Sequence, residues 1–512
     1  MRLVVVGDIG WRDLYHLGDE AMTERALGAL AARGVSDVTL VAGQPAHATA
    51  RYGLPAVRRI GFRDAKHDRW NEQRRTKVID AARRGAHRLE AGDPAREVLA
   101  AVRDADAVLV AGGGNLNGFF PQHLLERATI CTVARELGKP YALTSQTIGP
   151  LLRGADRAHL RPLLGGAVAV GAREHTTAGL IGELTDEANV VRTVDDAFGL
   201  EPGPDDVAVA NGLGTDRYIV ASFAEQASTP LLGTKEYRRL AAAAARDLAD
   251  LYDADVLLVP HAGTFVAGEE RRDQVSNKQI AELAADPRVR ATPMLTARQA
   301  AALTAGAALV VGTRYHPAIL AARAGVPSIA LAPTLYSSVR MRGAARHVGL
   351  EDYVLGVDSW RAGALLRAAR ELHQDDAGVR EHLRTVGVTR LTEHEAWWDA
   401  LVAGLRTGRR VEAPDLAPVP SYGSHGDWAV AAGHLLDATE RFDRERMLRA
   451  WERADLEREV AALRASAEES RQRPRASRIS AFARSSFARA ATLVSPTSTG
   501  VASGATGSTT SR

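Results

Sequence analysis

The 512-residue chain has one cysteine, Cys131, and few aromatic residues, and this scarcity excludes several classes of protein. A single cysteine rules out a disulfide framework and any metal site built from four cysteines. Hydrophobic residues make up 46% and aromatic residues 5% of the chain, which fits a globular protein. The longest apolar runs are too short to span a membrane, and the run at residues 3–6 is too short for a signal peptide. We therefore expect a soluble, cytoplasmic enzyme.

The net charge of +3 is distributed unevenly along the chain. Residues 471–512 contain seven arginines and no acidic residue, so the rest of the chain is net acidic. The basic character belongs to this C-terminal segment and gives no reason to expect that the folded body binds nucleic acid. We predict no nucleic-acid partner.

Predicted strands and helices alternate from the N-terminus, which is typical of an α/β protein with parallel sheets. The alternation stops at the glycine- and proline-rich residues 198–216 and then resumes. This pattern predicts two domains, residues 1–205 and 206–408, with a cleft between them. Helices near 360–372 and 378–405 either close the second domain or cross back to the first.

The composition changes after about residue 408. Residues 409–427 are rich in proline, glycine and serine and are predicted to form a linker. Residues 428–470 have apolar side chains at roughly helical spacing, which predicts an amphipathic helix that docks on the body or pairs with another chain. Residues 471–512 are predicted to be a basic, largely disordered tail. Within it, residues 471–494 alternate apolar side chains with arginine, so they either contact an anionic membrane peripherally or only keep the chain soluble.

One strand-to-helix turn carries a pattern typical of an anion site. The apolar run 309–311 predicts a buried strand, and Pro317 suits the first turn of the helix that follows and ends at Gly325. Arg314 and His316 then lie at the carboxyl end of a strand, where open α/β sheets bind ligands. An arginine at a helix N-terminus suits a phosphate, and a histidine beside it is able to donate a proton. The alternative is an ordinary turn with a solvated arginine and a capping histidine.

Five more segments place glycine, polar or charged residues at or near the ends of predicted strands. One is a loop that ends at a predicted helix start, where a carboxylate either caps the helix or faces the cleft. Another is a glycine loop whose backbone N–H groups are able to approach a ligand, although it matches no dinucleotide or Walker pattern. The candidate residues in these segments are Asp19, Gly112, Gly113, Gly114, Asn115, Gln146, Arg173, His261 and Asp273.

Together these residues fit the transfer of a phosphorylated, anionic donor onto a hydroxyl-bearing acceptor. Two arginines are suited to the donor's charges, and two histidines and a carboxylate are suited to moving protons. The residues leave open whether the donor is a nucleotide sugar or a smaller phosphate ester. No HExxH motif or Cys/His cluster is present, so we predict no metal.

The order of these motifs resembles the polysaccharide pyruvyl transferase family over roughly residues 1–370. The residues that carry the resemblance are 16–21 (HLGDEA), 112–114 (GGG), 145–150 (SQTIGP), 173–174 (RE), 195–198 (DDAF), 260–261 (PH) with Asp273, 314–316 (RYH) and 324–327 (AGVP). The chain departs from the family pattern at His16, where the family usually has Asn. It also departs after Tyr336, where the family often has a Lys and this chain has Ser337, Ser338 and then Arg340.

The resemblance implies a glycosyltransferase-B-like fold, with two Rossmann-like domains facing a cleft. It also implies that phosphoenolpyruvate is the donor, with no further cofactor, and that a saccharide or lipid-linked saccharide of the cell envelope accepts the pyruvyl group as a ketal.

The resemblance also gives roles to the candidate residues. Arg314 would bind the phosphate and Arg173 the carboxylate or phosphate, with Gln146 and Asp273 in the substrate-binding set. His316 would protonate C3 of the donor, and His261 would bind the donor or relay a proton. Asp19 and residues 112–115 would face the acceptor diol.

Two alternatives remain. A nucleotide-sugar-dependent glycosyltransferase of the same fold would bind a nucleoside diphosphate. A non-catalytic scaffold for polysaccharide assembly would act through residues 428–494.

Overall fold

The computed structural model describes residues 1–11, 13–64, 68–224 and 232–472. The predicted basic tail, and with it the membrane contact predicted for residues 471–494, lies outside the described residues except for the last two residues of a helix. No helix in the described ranges combines the length and hydrophobicity needed to cross a bilayer. Residues 1–444 form one compact unit, and a second unit begins at Glu445.

Strands and helices alternate along most of the described chain. In chain order the strands are β1 (Arg2–Val6), β2 (Tyr15–His16), β3 (Asp37–Ala42), β4 (Ala56–Arg58), β5 (Ala107–Val110), β6 (Gly113–Leu116), β7 (Tyr141–Ile148), β8 (Ala169–Ala172), β9 (Val190–Arg192), β10 (Tyr218–Ser222), β11 (Asp255–Leu258), β12 (Ala262–Gly263), β13 (Val289–Ala291), β14 (Leu309–Gly312), β15 (Ser328–Ala332) and β16 (Val354–Gly356).

The helices in chain order are α1 (Leu17–Ala32), α2 (Pro45–Tyr52), α3 (Asp68–Arg84), α4 (Ala95–Asp104), α5 (Pro121–Glu136), α6 (Gly154–Gly165), α7 (His175–Leu184), α8 (Pro204–Leu213), α9 (Thr234–Tyr252), α10 (Asp273–Ala284), α11 (Ala297–Ala305), α12 (His316–Ala324), α13 (Leu335–His347), α14 (Val357–Arg361), α15 (Ala364–Gln374), α16 (Asp376–Thr407) and α17 (Asp427–Gln472).

Two parallel sheets confirm the expected α/β class. The first has the strand order β4-β3-β1-β5-β7-β8-β9, with β6 beside β7, and the second has the order β13-β11-β10-β14-β15-β16. Strands such as β10 and β14 are buried along their whole length, as expected for parallel strands covered by helices on both faces. In each sheet the order reverses direction once, between β1 and β5 in the first and between β10 and β14 in the second. Ligands bind at such switch points in open α/β sheets.

The two sheets are connected within the compact unit. The short strands β2 and β12 pair antiparallel, and Leu17 N–H donates to the carbonyl of His261 at 3.0 Å. Helix α16 returns to the first sheet, where Trp397 and Trp398 are buried in the core with Leu3 and Val5. The structure therefore favours the crossing-back alternative for this helix. The domain boundaries at 205 and 408 stay predictions.

Candidate active site

A cavity of about 490 Å³ lies where the carboxyl ends of strands from both sheets meet. Its lining comes from residues that follow β1, β5 and β8 in the first sheet and β10, β11, β14 and β15 in the second. Among the predicted site residues it brings together Asp19, Gly114, Asn115, Arg173, His261, Arg314 and His316. Gly112, Gly113, Gln146 and Asp273 are absent from the lining. Residues more than 290 positions apart in sequence thus share one cavity.

Gln146 and Asp273 support the cavity from behind. The fully buried Gln146 donates from Nε2 to the carbonyls of Ala111 and Thr144, both at 2.8 Å, and so holds the strand end that leads into the glycine loop. Asp273 is fully buried at the start of α10, and its Oδ2 accepts from the backbone N–H groups of His261 and Ala262 at 3.1 and 3.0 Å. Both therefore position residues that line the cavity.

His316 is the first residue of α12 and its ring is enclosed by the two halves of the cavity. A Cβ atom at Gly18, in the first turn of α1, would overlap the imidazole, so the ring rests directly on the Gly18 backbone. The His316 Nε2 atom is buried and has no hydrogen-bond partner among the described residues. Burial, and then the charges of Arg173, Arg340 and Arg314, hold the pKa of His316 well below its ordinary value. The imidazole is neutral at neutral pH.

Arg314 is held by a two-pronged ion pair at the end of β14. Its Nη2 lies 2.6 Å from Asp273 Oδ1, and its Nε lies 3.0 Å from Oδ2. The Arg314 side chain is 31% exposed and lines the cavity, whereas the Asp273 side chain is almost fully buried. A guanidinium fixed in this way is positioned to bind an anion, because its orientation is already set.

Arg173 is almost fully buried and already has two carboxylate partners. Its Nη1 contacts Asp195 at 2.5 Å, and its Nε contacts Glu174 at 3.1 Å and Thr147 Oγ1 at 2.8 Å. Burial lowers the pKa of Arg173, but Tyr315, Asp195 and Glu174 outweigh burial and raise it. Arg173 therefore remains a cation at the floor of the cavity, with much of its charge balanced.

Arg340, on α13, differs from Arg314 and Arg173 because it has no carboxylate partner among the described residues. Its guanidinium stacks over the rings of Tyr336 and Tyr315, with its central carbon 3.9 and 5.3 Å from the ring centroids. The Tyr336 hydroxyl donates to the carbonyl of Gly114 and so joins α13 to the glycine loop.

A second polar group on the first-sheet side consists of Asp8, His123, Arg59 and Asn115. Asp8 Oδ1 pairs with Arg59 Nη1 at 2.8 Å, and Asp8 Oδ2 accepts from Asn115 Nδ2 at 3.4 Å and lies 3.6 Å from His123 Nδ1. Burial opposes ionisation of Asp8, but the charges of His123 and Arg59 outweigh it and lower its pKa. Sequence reasoning missed Asp8 and His123. Asp8 comes just after the first buried strand, separated from it by Gly7, and that position is the signal that could have identified it.

Asp19 and His261 have pKa values displaced in opposite directions. Burial, followed by the negative charge of Asp8, raises the pKa of Asp19 to about 7. Burial, followed by the charge of His316, lowers the pKa of His261 to about 3. Near neutral pH, Asp19 is therefore able to give or take a proton, and His261 is a neutral imidazole.

The described residues contain no cluster of three His, Cys, Asp or Glu side chains placed to hold a metal ion. The residues that are present can bind an anion through three arginines. A neutral histidine lies among those arginines, and carboxylates lie on the opposite wall of the cavity.

The sequence model of the family described as polysaccharide pyruvyl transferase matches residues 16–334. No curated protein sequence matches the chain.

Solved structures share the fold at low sequence identity. A Listeria monocytogenes protein described as a UDP-N-acetylglucosamine 2-epimerase aligns with a TM-score of 0.51 and 13% identity, covering 81% of this chain and all of that chain. The UDP-GlcNAc 2-epimerase from Neisseria meningitidis, solved bound to UDP-GlcNAc, aligns with a TM-score of 0.50 and 12% identity, covering 79% of this chain and all of that chain. These similarities confirm the glycosyltransferase-B-like fold.

Proposed function

The chain belongs to the polysaccharide pyruvyl transferase family, and from that premise we propose that it transfers the pyruvyl group of phosphoenolpyruvate to a sugar diol of a cell-surface polysaccharide or its precursor. The observation that carries the proposal is the set of three arginines around the neutral His316. Phosphoenolpyruvate has a phosphate and a carboxylate, and guanidinium groups bind both in a planar, two-pronged way.

In the proposed reaction the donor's anionic groups lie among Arg314, Arg173 and Arg340. The bound phosphate and carboxylate offset the three positive charges that lower the pKa of His316, so binding makes the imidazolium form more favourable. His316 then protonates C3 of the donor, which makes C2 electrophilic. The site would therefore gain its acid when the donor binds.

The acceptor's two hydroxyls complete the reaction. After C3 is protonated, the oxygen of the first hydroxyl bonds to C2. The oxygen of the second hydroxyl then bonds to C2 as the bond between C2 and the phosphate oxygen breaks. Phosphate leaves with the electron pair of the broken bond. One of the two hydroxyl protons replaces the proton that C3 received from His316, and the other leaves on phosphate. His261 would assist phosphate departure, and Asp19 would hold an acceptor hydroxyl.

The proposal is tested by incubating the protein with phosphoenolpyruvate and a panel of methyl glycosides. We expect one phosphate to be released per glycoside modified, and the product to be heavier by the mass of pyruvate less that of water. His316→Ala should abolish turnover while the thermal unfolding curve stays close to that of the wild type. An active His316→Ala variant would remove the role given to His316. Consumption of a UDP-sugar in place of phosphoenolpyruvate would assign the chain to the glycosyltransferases.

A further inference from the structure

A second cavity, of about 470 Å³, adjoins the one among the arginines. The two cavities share Asp8, His16, Gln122 and His123 in their linings. The second cavity lies wholly on the first-sheet side, where residues that follow β1 and β3 meet the start of α5. A molecule in this cavity would therefore lie beside the proposed donor, with Asp8 at the boundary between them.

Trp11 forms an exposed aromatic wall of this second cavity. Its side chain is 36% exposed, yet its orientation is fixed on two sides. The indole Nε1 donates to Asp8 Oδ1 at 3.2 Å, and the ring lies so close to Gly43 that a Cβ there would overlap it. An exposed tryptophan held in one orientation at the edge of a cavity that also carries polar side chains offers an apolar face to a ligand without losing conformational freedom on binding.

The remaining lining includes polar side chains of the kind that bind a sugar. Gln44 and Gln122 supply amides, and Asp8 supplies a carboxylate that is already fixed by Arg59. A pyranose ring has a face of C–H groups that packs on an aromatic ring and a rim of hydroxyls that hydrogen-bond to amides and carboxylates. The cavity among the arginines offers positive charge instead, which suits the donor.

We propose that the second cavity is the acceptor subsite, where a pyranose stacks on Trp11 and directs one hydroxyl of its diol at Asp8. This inference rests on the proposed function. As that hydroxyl oxygen bonds to C2 of the protonated donor, its proton passes to Asp8, and Asp8 releases the proton after phosphate has left. In the free protein burial raises the pKa of Asp8, but His123 and Arg59 outweigh burial and lower it. The negative charge of a donor bound beside Asp8 opposes these two groups, so Asp8 becomes a stronger base for the attacking hydroxyl once the donor is bound. Trp11 determines how well the acceptor binds.

The test compares Trp11→Ala with a control variant, Trp70→Ala. Trp70 lies under the guanidinium of Arg63 and outside both cavities, so the control removes an indole without changing either cavity. The probes are methyl glycosides, whose binding is followed by saturation-transfer NMR, and phosphoenolpyruvate, whose binding is followed by calorimetry. We expect Trp11→Ala to weaken glycoside binding roughly tenfold, Trp11→Phe to recover part of it, and Trp70→Ala to change nothing. Phosphoenolpyruvate affinity should stay within twofold in all three variants.

Asp8→Asn supplies the catalytic half of the test, because it keeps an acceptor for the Trp11 N–H and removes the base. We expect kcat to fall about 100-fold or more while glycoside binding is retained. Unchanged glycoside binding in Trp11→Ala, or a wild-type protein that binds phosphoenolpyruvate but no glycoside of the panel, would overturn the acceptor subsite alone. A wild-type protein that binds glycosides but not phosphoenolpyruvate would overturn the proposed function instead.

Discussion

The imidazole of His316, the proposed acid, rests on the backbone of Gly18, and it can take this position only because glycine has no side chain. Gly18 belongs to the first-sheet half of the cavity and His316 to the second-sheet half. The contact therefore fixes the distance between the two walls at the point where the reaction would occur.

Gly18→Ala should displace the His316 ring, and we expect kcat to fall about 100-fold, since a displacement of about 1 Å in a catalytic group has that effect. Gly28→Ala is the matched control in the same helix, because a Cβ at Gly28 meets no atom within 4 Å. That variant should keep its activity and gain about 0.5–1 kcal/mol of stability. Steady-state kinetics with thermal unfolding measures both. An active Gly18→Ala enzyme would mean that the position of the ring is unimportant.

The protonation of His316 leads to a second prediction at this scale. Its pKa is lowered in the free protein, so the ring is neutral at pH 8, and a bound anion raises that pKa. Binding of phosphoenolpyruvate should then take up protons, and affinity should fall as the pH rises through the pKa of the complex. Calorimetry in two buffers of different ionisation enthalpy measures the uptake. His316→Gln should reduce it, and equal uptake in that variant would assign the proton to another group, such as Asp19.

Individual residues could be predicted from the sequence to lie at the cavity where they come within a few residues after the end of a strand. Arg314, His316 and His261 are examples, because the carboxyl ends of parallel strands meet at one edge. The partners of Arg173 could not be predicted, since Asp195 approaches it only through folding. The resemblance implies that Gln146 binds the substrate, but β7 is buried on both faces, so its pattern of apolar and polar residues does not indicate which way this side chain points.

At the scale of elements, α17 supports the helix that carries Arg340. Asp443 Oδ2 accepts from Leu335 N–H at 2.8 Å, at the N-terminus of α13, where a carboxylate is favourable. Arg342 on α13 pairs with Asp437 at 2.6 Å. The first part of α17 thus lies outside the family resemblance and yet helps to position the proposed donor site.

Asp443→Ala should destabilise the protein by about 1–2 kcal/mol, because a helix-terminal N–H loses its charged acceptor, and should weaken phosphoenolpyruvate binding by loosening Arg340. Asp455→Ala is the control, since Asp455 on the same helix is exposed and pairs only with Arg458 among the described residues. Chemical denaturation and calorimetry give the two quantities. If the Asp443 variant bound phosphoenolpyruvate as tightly as the wild type, α17 would have no part in the site.

The helix itself could be predicted from the spacing of its apolar residues, and it spans Asp427–Gln472 against the predicted 428–470. The surface that the helix packs against could not be predicted, because an apolar helix face can pack equally well against its own chain or against another chain. Trp428 and Leu436 are buried in the core around the second sheet, which identifies the partner for the first part of the helix.

At the scale of the whole molecule, the fold places two switch points opposite each other. The alternating pattern predicts parallel sheets, but the strand order that creates those switch points depends on which strands pair over long distances. The β2–β12 ladder is two residues long on each strand, and so has too little pattern to be recognised in the sequence. The fold is shared with nucleotide-sugar enzymes, so the donor is decided by the side chains in the cavity.

The most direct measurement is a calorimetric titration with phosphoenolpyruvate and, separately, with UDP. It compares the wild type with Arg340→Gln and with a control variant, Arg346→Gln. Arg346 lies on the same helix as Arg340 but outside the cavity. The wild type should bind phosphoenolpyruvate and not UDP. Arg340→Gln should weaken that binding about 10- to 100-fold, as expected for a lost hydrogen bond to a charged group, and Arg346→Gln should not change it. Binding of UDP without phosphoenolpyruvate, or equal affinities in the two variants, would contradict pyruvyl transfer at this site.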